Sequence, residues 1–525
     1  MRKREPSPRT ALLQKEISPR KAIIILAACV GAVATCGIVY QLIIGTVSTY
    51  LKGNSTFQFS LTIGLSMSAY GLGSFLSTRV KKNLIDWFVL TEILLGLIGG
   101  LASFILFQLY ARGSAFEVGR FAVIISTGTL IGLEIPILIR IFEDYRQNLR
   151  VTVGQLMGFD YLGALVGGIS FPLILLPTMG LIGSSFVIGA GNSLIALGTI
   201  YAFRHKLKRP RALMIFATIV TMGLIAFSTF TNPIERQIEK ELYEDHIVRF
   251  HQTKYQRIVV TQHAKDVRMY LDGSLQFSSA DEYRYHESLV HPGATRLPNM
   301  KKVLILGGGD GLALRELMQY PSIESIELID LDPGVVDIAK SDLTLSELNK
   351  NAFQETPVNV IHDDAFTWVK TRTQTLALRN QYDFIIADLP DPHDASLAKL
   401  YSVAFYKNLK KLLKPTGLLV AQIGSPFFGR STFWTSVKTL ETAGWKVRPY
   451  HVNVPSFGEW GFALCAQNKI QEPYTTHTGK FHESKTEAAL FDFPPDLRPP
   501  PGLTPNTMIR PVIVEHFRKD WRKWN

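Results

Sequence analysis

Apolar residues are distributed unevenly along the chain, and their pattern changes once. Up to about Thr231 they run in long, nearly uninterrupted stretches near 22–50, 57–78, 84–107, 116–142, 151–176, 180–203 and 211–230. A bilayer crossing takes about 20 apolar residues in a helix, so each of the seven is long enough to span. The first is too long for the core of a cleaved leader and is followed by further spans. Beyond Asn232-Pro233 the stretches shorten. Residues 234–245 read as a charged helix or linker. From Tyr255 to Leu271 brief alternating runs such as Arg257-Ile258-Val259-Val260 predict strands, and Asp272-Gly273 is a hairpin signal.

The next segments predict a doubly wound sheet. Lys302-Val303-Leu304-Ile305-Leu306 is a strand, Gly307-Gly308-Gly309-Asp310-Gly311 a glycine loop, and Leu312–Tyr320 carries helical spacing. Further strands at Ile326–Leu331, Val358–Ile361 and Phe384–Ala387 end at Asp330, at Asp363-Asp364 and at Asp388. The fold class expected is an N-terminal all-α multi-span membrane bundle, then a C-terminal α/β Rossmann-like domain of methyltransferase type behind a small β domain. The expected divisions are a basic N-terminus at 1–21, the transmembrane domain at 22–231, linker and small β domain at 232–298, the Rossmann-like domain at 299–466 and a Pro-rich tail at 467–525. The tail, with Phe493-Pro494-Pro495 and Pro499-Pro500-Pro501, reads as extended, wrapping or partly disordered, and its basic aromatic end, Phe517–Trp524, as solvated.

Charge changes this picture through its placement. The 525 residues carry a formal net charge of +12. Residues 1–21 hold seven basic residues against Glu5 and Glu16, and Arg204–Arg211 adds five with no acid. Both runs flank apolar spans, where basic residues signal topology, so nucleic acid is not the expected partner and a lipid bilayer is. Basic residues are dense in the N-terminus and in the second, fourth and sixth connections and sparse in the others. That alternation places the N-terminus in the cytoplasm of a multi-pass protein of the cell (inner) membrane. Seven spans then put the C-terminal half outside, and one missed or re-entrant segment would reverse that side. Three cysteines, Cys29, Cys36 and Cys465, show neither metal spacing nor a disulfide framework. Within the spans, Glu134 (beside Pro136) and Asp160 are candidates for a cation or proton site or for carboxylates satisfied by a neighbouring helix; Glu92 is read as the latter.

Four strand ends bearing acid suggest the ligand. In open sheets the crevice beyond the strand C-termini holds it. Asp310, Asp330, Asp364 and Asp388 would repel a polyphosphate and suit a nucleoside with a cationic appendage such as a sulfonium. Asp310 in the glycine loop would oppose the carboxylate of S-adenosylmethionine but attract the lone ammonium of its decarboxylated form.

At this point the chain resembles the spermidine synthase (polyamine aminopropyltransferase) family, and its front half resembles the membrane-fused members. The matching residues are Tyr255-Gln256, Leu271-Asp272-Gly273 with Gln276, Asp281–Glu287, Gly307–Gly311 with Arg315-Glu316, Asp330 and Asp332, Asp363-Asp364, Asp388–Pro392, Phe405-Tyr406 and Gln422. The resemblance implies a metal-free enzyme without cofactor that uses decarboxylated S-adenosylmethionine as co-substrate and a small-molecule diamine or polyamine as acceptor, in a homodimer or higher homo-oligomer. It implies donor binding by Gln256, Gln276, Gly307, Gly309, Asp310, Asp330 (ribose hydroxyls), Asp363 and Asp364 (adenine). Catalysis would rest on Asp388 and Tyr285, and acceptor binding on His286, Asp391, Glu459 and Trp460. Two departures fall on the acceptor side. Asp388-Leu389-Pro390-Asp391-Pro392 lacks the serine-rich centre of many members, and the loop Pro455–Phe462 is short and lacks a tyrosine, with Phe457 nearby. Putrescine is the default acceptor, with spermidine, cadaverine or agmatine as alternatives. Two rival readings are a methyltransferase on the same sheet and a transporter whose soluble half senses polyamines.

Overall fold

The computed structural model describes residues 18–524 apart from 53, 54, 114, 144, 146–148, 232, 233, 235–242, 244, 356, 484 and 486. Most of the basic N-terminus, Arg146 and most of the 232–245 linker lie outside the described residues. The chain forms two compact units, Met1–Glu244 and Asp245–Asn525.

The first unit is helical: α1 Pro19–Lys52, α2 Ser55–Ser77, α3 Leu84–Ala111, α4 Phe116–Glu143, α5 Leu149–Ser170, α6 Leu176–Phe203 and α7 Pro210–Thr229. Among the described residues, six stretches are long and apolar enough to cross a membrane, one fewer than the sequence predicts. The difference lies in Val153–Phe203, whose 51 residues run on through a π-helical turn at Phe171–Leu175. A straight helix of that length would reach about 76 Å, more than twice a hydrocarbon core of about 30 Å. It is not straight. Gly180, at φ 63° and ψ −171°, leaves the helical region altogether, a conformation open to glycine because it has no Cβ.

Cross-contacts show that the chain reverses there. Gly31 faces Gly163 and Ile38 faces Gly167, so α5 runs parallel to α1. Cys29 meets Thr199 and Tyr40 meets Asn192, so α6 runs antiparallel to it. The stretch is a helical hairpin. The same reasoning, from Gln41–Tyr70 and Gly45–Phe59, Gln58–Arg120 and Ser74–Gly132, Tyr40–Gly99 and Tyr50–Phe107, and Phe186–Phe227 and Gly189–Leu224, gives seven helices of alternating direction.

The second unit begins with an antiparallel meander, β1 His246–Gln252, β2 Arg257–His263, β3 Asp266–Leu271 and β4 Ser274–Ser278. Asp272 (φ 47°) and Gly273 (φ 80°) both occupy the left-handed region, as a two-residue hairpin turn requires. Helix α8, Glu282–Ala294, leads into a seven-stranded sheet of β5 Lys302–Gly307, β6 Ser325–Asp330, β7 Val358–His362, β8 Tyr382–Asp388, β9 Leu413–Gly424, β10 Lys446–Val454 and β11 Gly458–Ala466. Its order is β10-β11-β9-β8-β5-β6-β7; β5 to β9 are parallel, whereas β10 and β11 are antiparallel. The apolar runs are continuous because both faces are covered. Leu304, Leu306, Ile385 and Leu419 pack into one core; Val303, Ile305, Phe384, Ile386 and Val420 pack into the other. The chain passes from β5 outward to β6 and β7, then returns to add β8 on the opposite side of β5. The crevice therefore opens between the ends of β5 and β8, where Gly307 is paired with Asp388.

The Pro-rich tail is packed against this unit. Asn506 Nδ2 donates to Ala398 O (2.9 Å) and Tyr401 O (3.0 Å). Glu287 of α8 accepts from the backbone of Lys480, Phe481 and His482 at 2.7–2.9 Å. The basic aromatic end, expected to be solvated, instead forms a helix, Val512–Trp521, that docks. Its buried Asp520 accepts from Ser431 and Thr432 at the start of the helix Arg430–Thr442, and Trp521 stacks on Phe428. The aromatic residues find a partner surface within the unit, and Asp520 satisfies orphan N–H groups that water would otherwise have to meet.

Candidate active site

The glycine loop after β5 allows backbone and side chains to approach closely. Gly307, Gly308 and Gly311 have φ of 82°, 69° and 80°. A Cβ on Gly307 would lie 1.9 Å from Asp388 O, so only glycine lets the loop lie against the end of β8.

Around this loop the acids converge. Asp330 Oδ2 accepts from Gly309 N (3.0 Å) and Oδ1 from Asp332 N (2.9 Å), which fixes its carboxyl at the mouth of the loop. Asp310 Oδ1 accepts from Leu312 N (2.8 Å) at the start of the helix Leu312–Leu317. Asp388 Oδ1 accepts from the Tyr285 hydroxyl at 2.6 Å, while its Oδ2 faces Gly308. Burial, with the negative Asp310 nearby, pushes the Asp388 carboxyl up to about 6, and the same two causes bring Asp330 to about 6. Burial and the adjacent Asp388 push the Tyr285 phenol well above its ordinary value, so it stays a hydrogen-bond donor. Its ring is held by Phe462 at 5.2 Å and Phe457 at 6.1 Å.

Asp391 lies three residues beyond Asp388. It is partly buried, its carboxyl is pushed up to about 6 by burial although Gln422 works against the shift, and its Oδ1 has no hydrogen-bond partner among the described residues. Such an oxygen is prepared for a donor that arrives from outside. Tyr401 donates to Leu389 O and Pro390 O, and Gln422 also bonds to Leu389 O, which fixes the turn between the two acids.

Other predicted residues take different partners. His286 Nδ1 bonds to Glu282 Oε2 at 2.8 Å, and Glu282 is clamped by both terminal nitrogens of Arg315 (2.8 and 2.9 Å). Burial works against a charged ring, but the Glu282 carboxylate outweighs it and holds His286 above its ordinary value. Gln256 donates to Asp332 (3.0 Å), which also accepts from Thr253 and caps the helix Pro333–Ser341. Gln276 bonds to Ser274 O of its own hairpin. Asp363 accepts from Asp364 N, and Asp364 caps the helix Ala365–Gln374 through Thr367 while pairing with Lys399 Nζ at 2.8 Å. Despite partial burial, those partners hold the Asp364 carboxyl below its ordinary value. Glu459 is engaged by His451, which lowers its carboxyl, and Trp460 Nε1 is buried without a partner among the described residues. The sequence reading named neither Thr253 nor Tyr401. Both act through backbone turns, and turn geometry leaves no residue-type signal strong enough to find them.

The cleft thus brings together a desolvated carboxylate with a tyrosine partner, a second carboxylate with an open oxygen, and two acids beside a glycine loop. Comparison with known proteins agrees. Residues 282–474 match the model of the Spermine/spermidine synthase domain. "Polyamine aminopropyltransferase 2" of Ralstonia nicotianae is 40% identical over 95% of this chain and 98% of its own length. The "Polyamine aminopropyltransferase" of Leptospira interrogans is 37% identical over 94% and 97%, and that of Mycobacterium tuberculosis 37% over 96% and 98%. These matches run through the helical unit as well as the catalytic one, and the chain belongs to the polyamine aminopropyltransferase family.

Proposed function

We propose that the protein transfers the aminopropyl group of decarboxylated S-adenosylmethionine to a diamine, putrescine by default, releasing methylthioadenosine. The reading rests most on the 2.6 Å contact of Tyr285 with Asp388 Oδ1, which leaves Oδ2 facing the glycine loop. Only a neutral amine is a nucleophile, and polyamine nitrogens are mostly protonated at neutral pH. Asp388, with its carboxyl near 6, is ionised at pH 7.5 and still basic enough to take a proton from the attacking amine. The amine nitrogen forms its bond to the methylene beside the sulfonium, the carbon–sulfur bond breaks towards sulfur, and a neutral thioether leaves without needing an acid. Tyr285 holds Asp388 in one orientation, and holding both reactants supplies much of the remaining advantage. Asp391 offers its open oxygen to the distal ammonium of the acceptor.

On the donor side, Asp330 would take the ribose hydroxyls, and Asp310, with Gln276 turned inward, the aminopropyl end. Asp364 would meet the adenine amino group after release from Lys399. Gln256 supports this side through Asp332, and Gly307, Gly309 and Asp363 shape it. On the acceptor side, His286, Glu459 and Trp460 would line the approach beside Asp391. The family resemblance supports a homo-oligomer, and the apolar helices support a multi-pass membrane protein. The test is turnover of the full chain in detergent with decarboxylated S-adenosylmethionine and a panel of amines, read as methylthioadenosine. Amine-dependent release that Asp388→Asn abolishes is the expected result. Folded, donor-binding protein that releases none with any amine would sink the reading.

A further inference from the structure

The helical unit holds a second pair of acids, and the transfer reaction has no use for it. Glu92 on α3 and Glu134 on α4 are 0% and 1% exposed, and their carboxyls lie close enough to interact. Two buried carboxylates that face each other repel unless one of them carries a proton. Glu92 Oε2 also accepts from Asn192 Nδ2 of α6 at 2.6 Å, and Asn192 in turn accepts from Tyr40 of α1 at 3.1 Å. Beyond their mutual contact, Glu92 Oε1 and Glu134 Oε1 find no hydrogen-bond partner among the described residues. The buried Ser193 Oγ, against Gly96 and one turn from Glu92, is also without one.

Among the described residues, no basic side chain neutralises the pair. Arg120 is spent on Gln58 and Glu117, and Arg140 on the carbonyls of Ser77, Val80 and Pro136. The ionisable neighbours are Cys36 and Tyr40 from α1, Tyr70 from α2 and the half-buried Asp160 from α5, none of them a cation. Two acids that share a proton in hydrocarbon, with open oxygens and no built-in counter-charge, form a site that a cation can occupy once that proton leaves. No described group of three or more His, Cys, Asp or Glu is arranged for a metal ion. An ammonium fits instead. Its N–H donors match the two Oε1 atoms.

We infer that Glu92 and Glu134 form a cation site within the helical unit, holding a proton when unloaded and an alkylammonium group in exchange for it. Each ammonium group bound at the pair displaces one proton to solvent, so the charge at the pair itself is conserved. The choice of an amine as the cation rests on the transferase reading; the proton-sharing pair does not.

The probe is labelled putrescine, measured by equilibrium dialysis against the full chain in detergent, with a pH dye in weak buffer. Wild type is expected to bind two per chain and to release one extra proton relative to Glu134→Gln. Glu134→Gln and Glu92→Gln are each expected to bind one, with methylthioadenosine release unchanged. That unchanged turnover shows that the variants are folded. One site in the wild type, lost in Asp391→Asn and not in Glu134→Gln, would overturn the inference, as would two sites surviving in both glutamine variants. If the transferase reading were the one to fail, the single remaining site would vanish in Glu134→Gln and ignore Asp391→Asn.

Discussion

Among single residues, Asp388 and Asp391 show how one change, a carboxyl raised to about 6, serves two purposes. For Asp388, the base of the proposed transfer, the raised value would set the pH profile. The carboxylate is the working form, so kcat/KM is expected to fall as pH drops through about 6, more steeply than for one group because Asp330 and Asp391 protonate over the same range. Asp388→Asn is expected to lower kcat by about 10²–10⁴-fold, and Tyr285→Phe by less, since it removes only the orienting hydroxyl. Rate measurements from pH 5 to 9 test both. For Asp391 the raised value is a statement about stability. The fold favours its protonated form. The stability that form contributes is complete below the unfolded value of about 3.9 and is lost as pH rises through about 6. An amide stays neutral at every pH. Asp391→Asn is therefore expected to match wild type near pH 4 and to be more stable by about 3 kcal/mol at pH 8, while binding amine less well. Denaturant titration of the full chain at the two pH values decides it; equal stability at pH 8 would mean that Asp391 is less desolvated than its surroundings indicate.

At the scale of elements, the glycine loop and the strand ends form the candidate site, and they were also the most readable part of the sequence. A continuous apolar run followed at once by Gly307–Gly311 leaves few alternatives, and acids at successive strand ends must face one crevice in a parallel sheet. What could not be read were pairings closed by long excursions of chain. Tyr285 reaches Asp388 across 103 residues and Lys399 reaches Asp364 across 35. His451 reaches Glu459 across a hairpin whose register alone would have revealed it. Proline in the tail signalled extension, but its anchors, Glu287, Ala398 and Thr432, lie far back in the chain. The loop itself offers a test. Gly309 has no unusual backbone angle, yet a Cβ there would lie 2.5 Å from Asp330 Oδ2. Gly309→Ala is expected to fold and to raise the KM for decarboxylated S-adenosylmethionine at least about tenfold, with the amine KM little changed, because it displaces a carboxyl that must sit within hydrogen-bond reach. A donor KM left at the wild-type value would remove Asp330 from the ribose site.

For the molecule as a whole, the question is sidedness. The apolar stretches, and the break between 176 and 180 that makes them seven, were visible in the sequence; what it did not show is the geometry of that break, the non-helical Gly180 that turns the chain back. Seven helices of alternating direction put the start of α1 and the end of α7 on opposite faces of the bundle, and from the basic connections we propose that the start of α1 faces the cytoplasm. Reporters joined after Asn525 are therefore expected to give an active phosphatase, which requires export, and a dark cytoplasmic fluorophore. The opposite pair of signals would mean that one hairpin, with Val153–Phe203 the first to suspect, enters and leaves on the same face.

The docking of Asp520 onto Ser431 and Thr432 also has a consequence in time. The catalytic core is sealed by residues synthesised well after the helices that end at Thr229. At about 5–20 residues per second, roughly 15–60 s of translation separate the two events. During that interval the nascent sheet lacks the helix that closes it. On the proposed membrane placement, the helices are inserted well before this sealing helix emerges, so a chaperone acting on this protein would meet a client already tethered, held to one location and kept apart from its neighbours while that helix arrives.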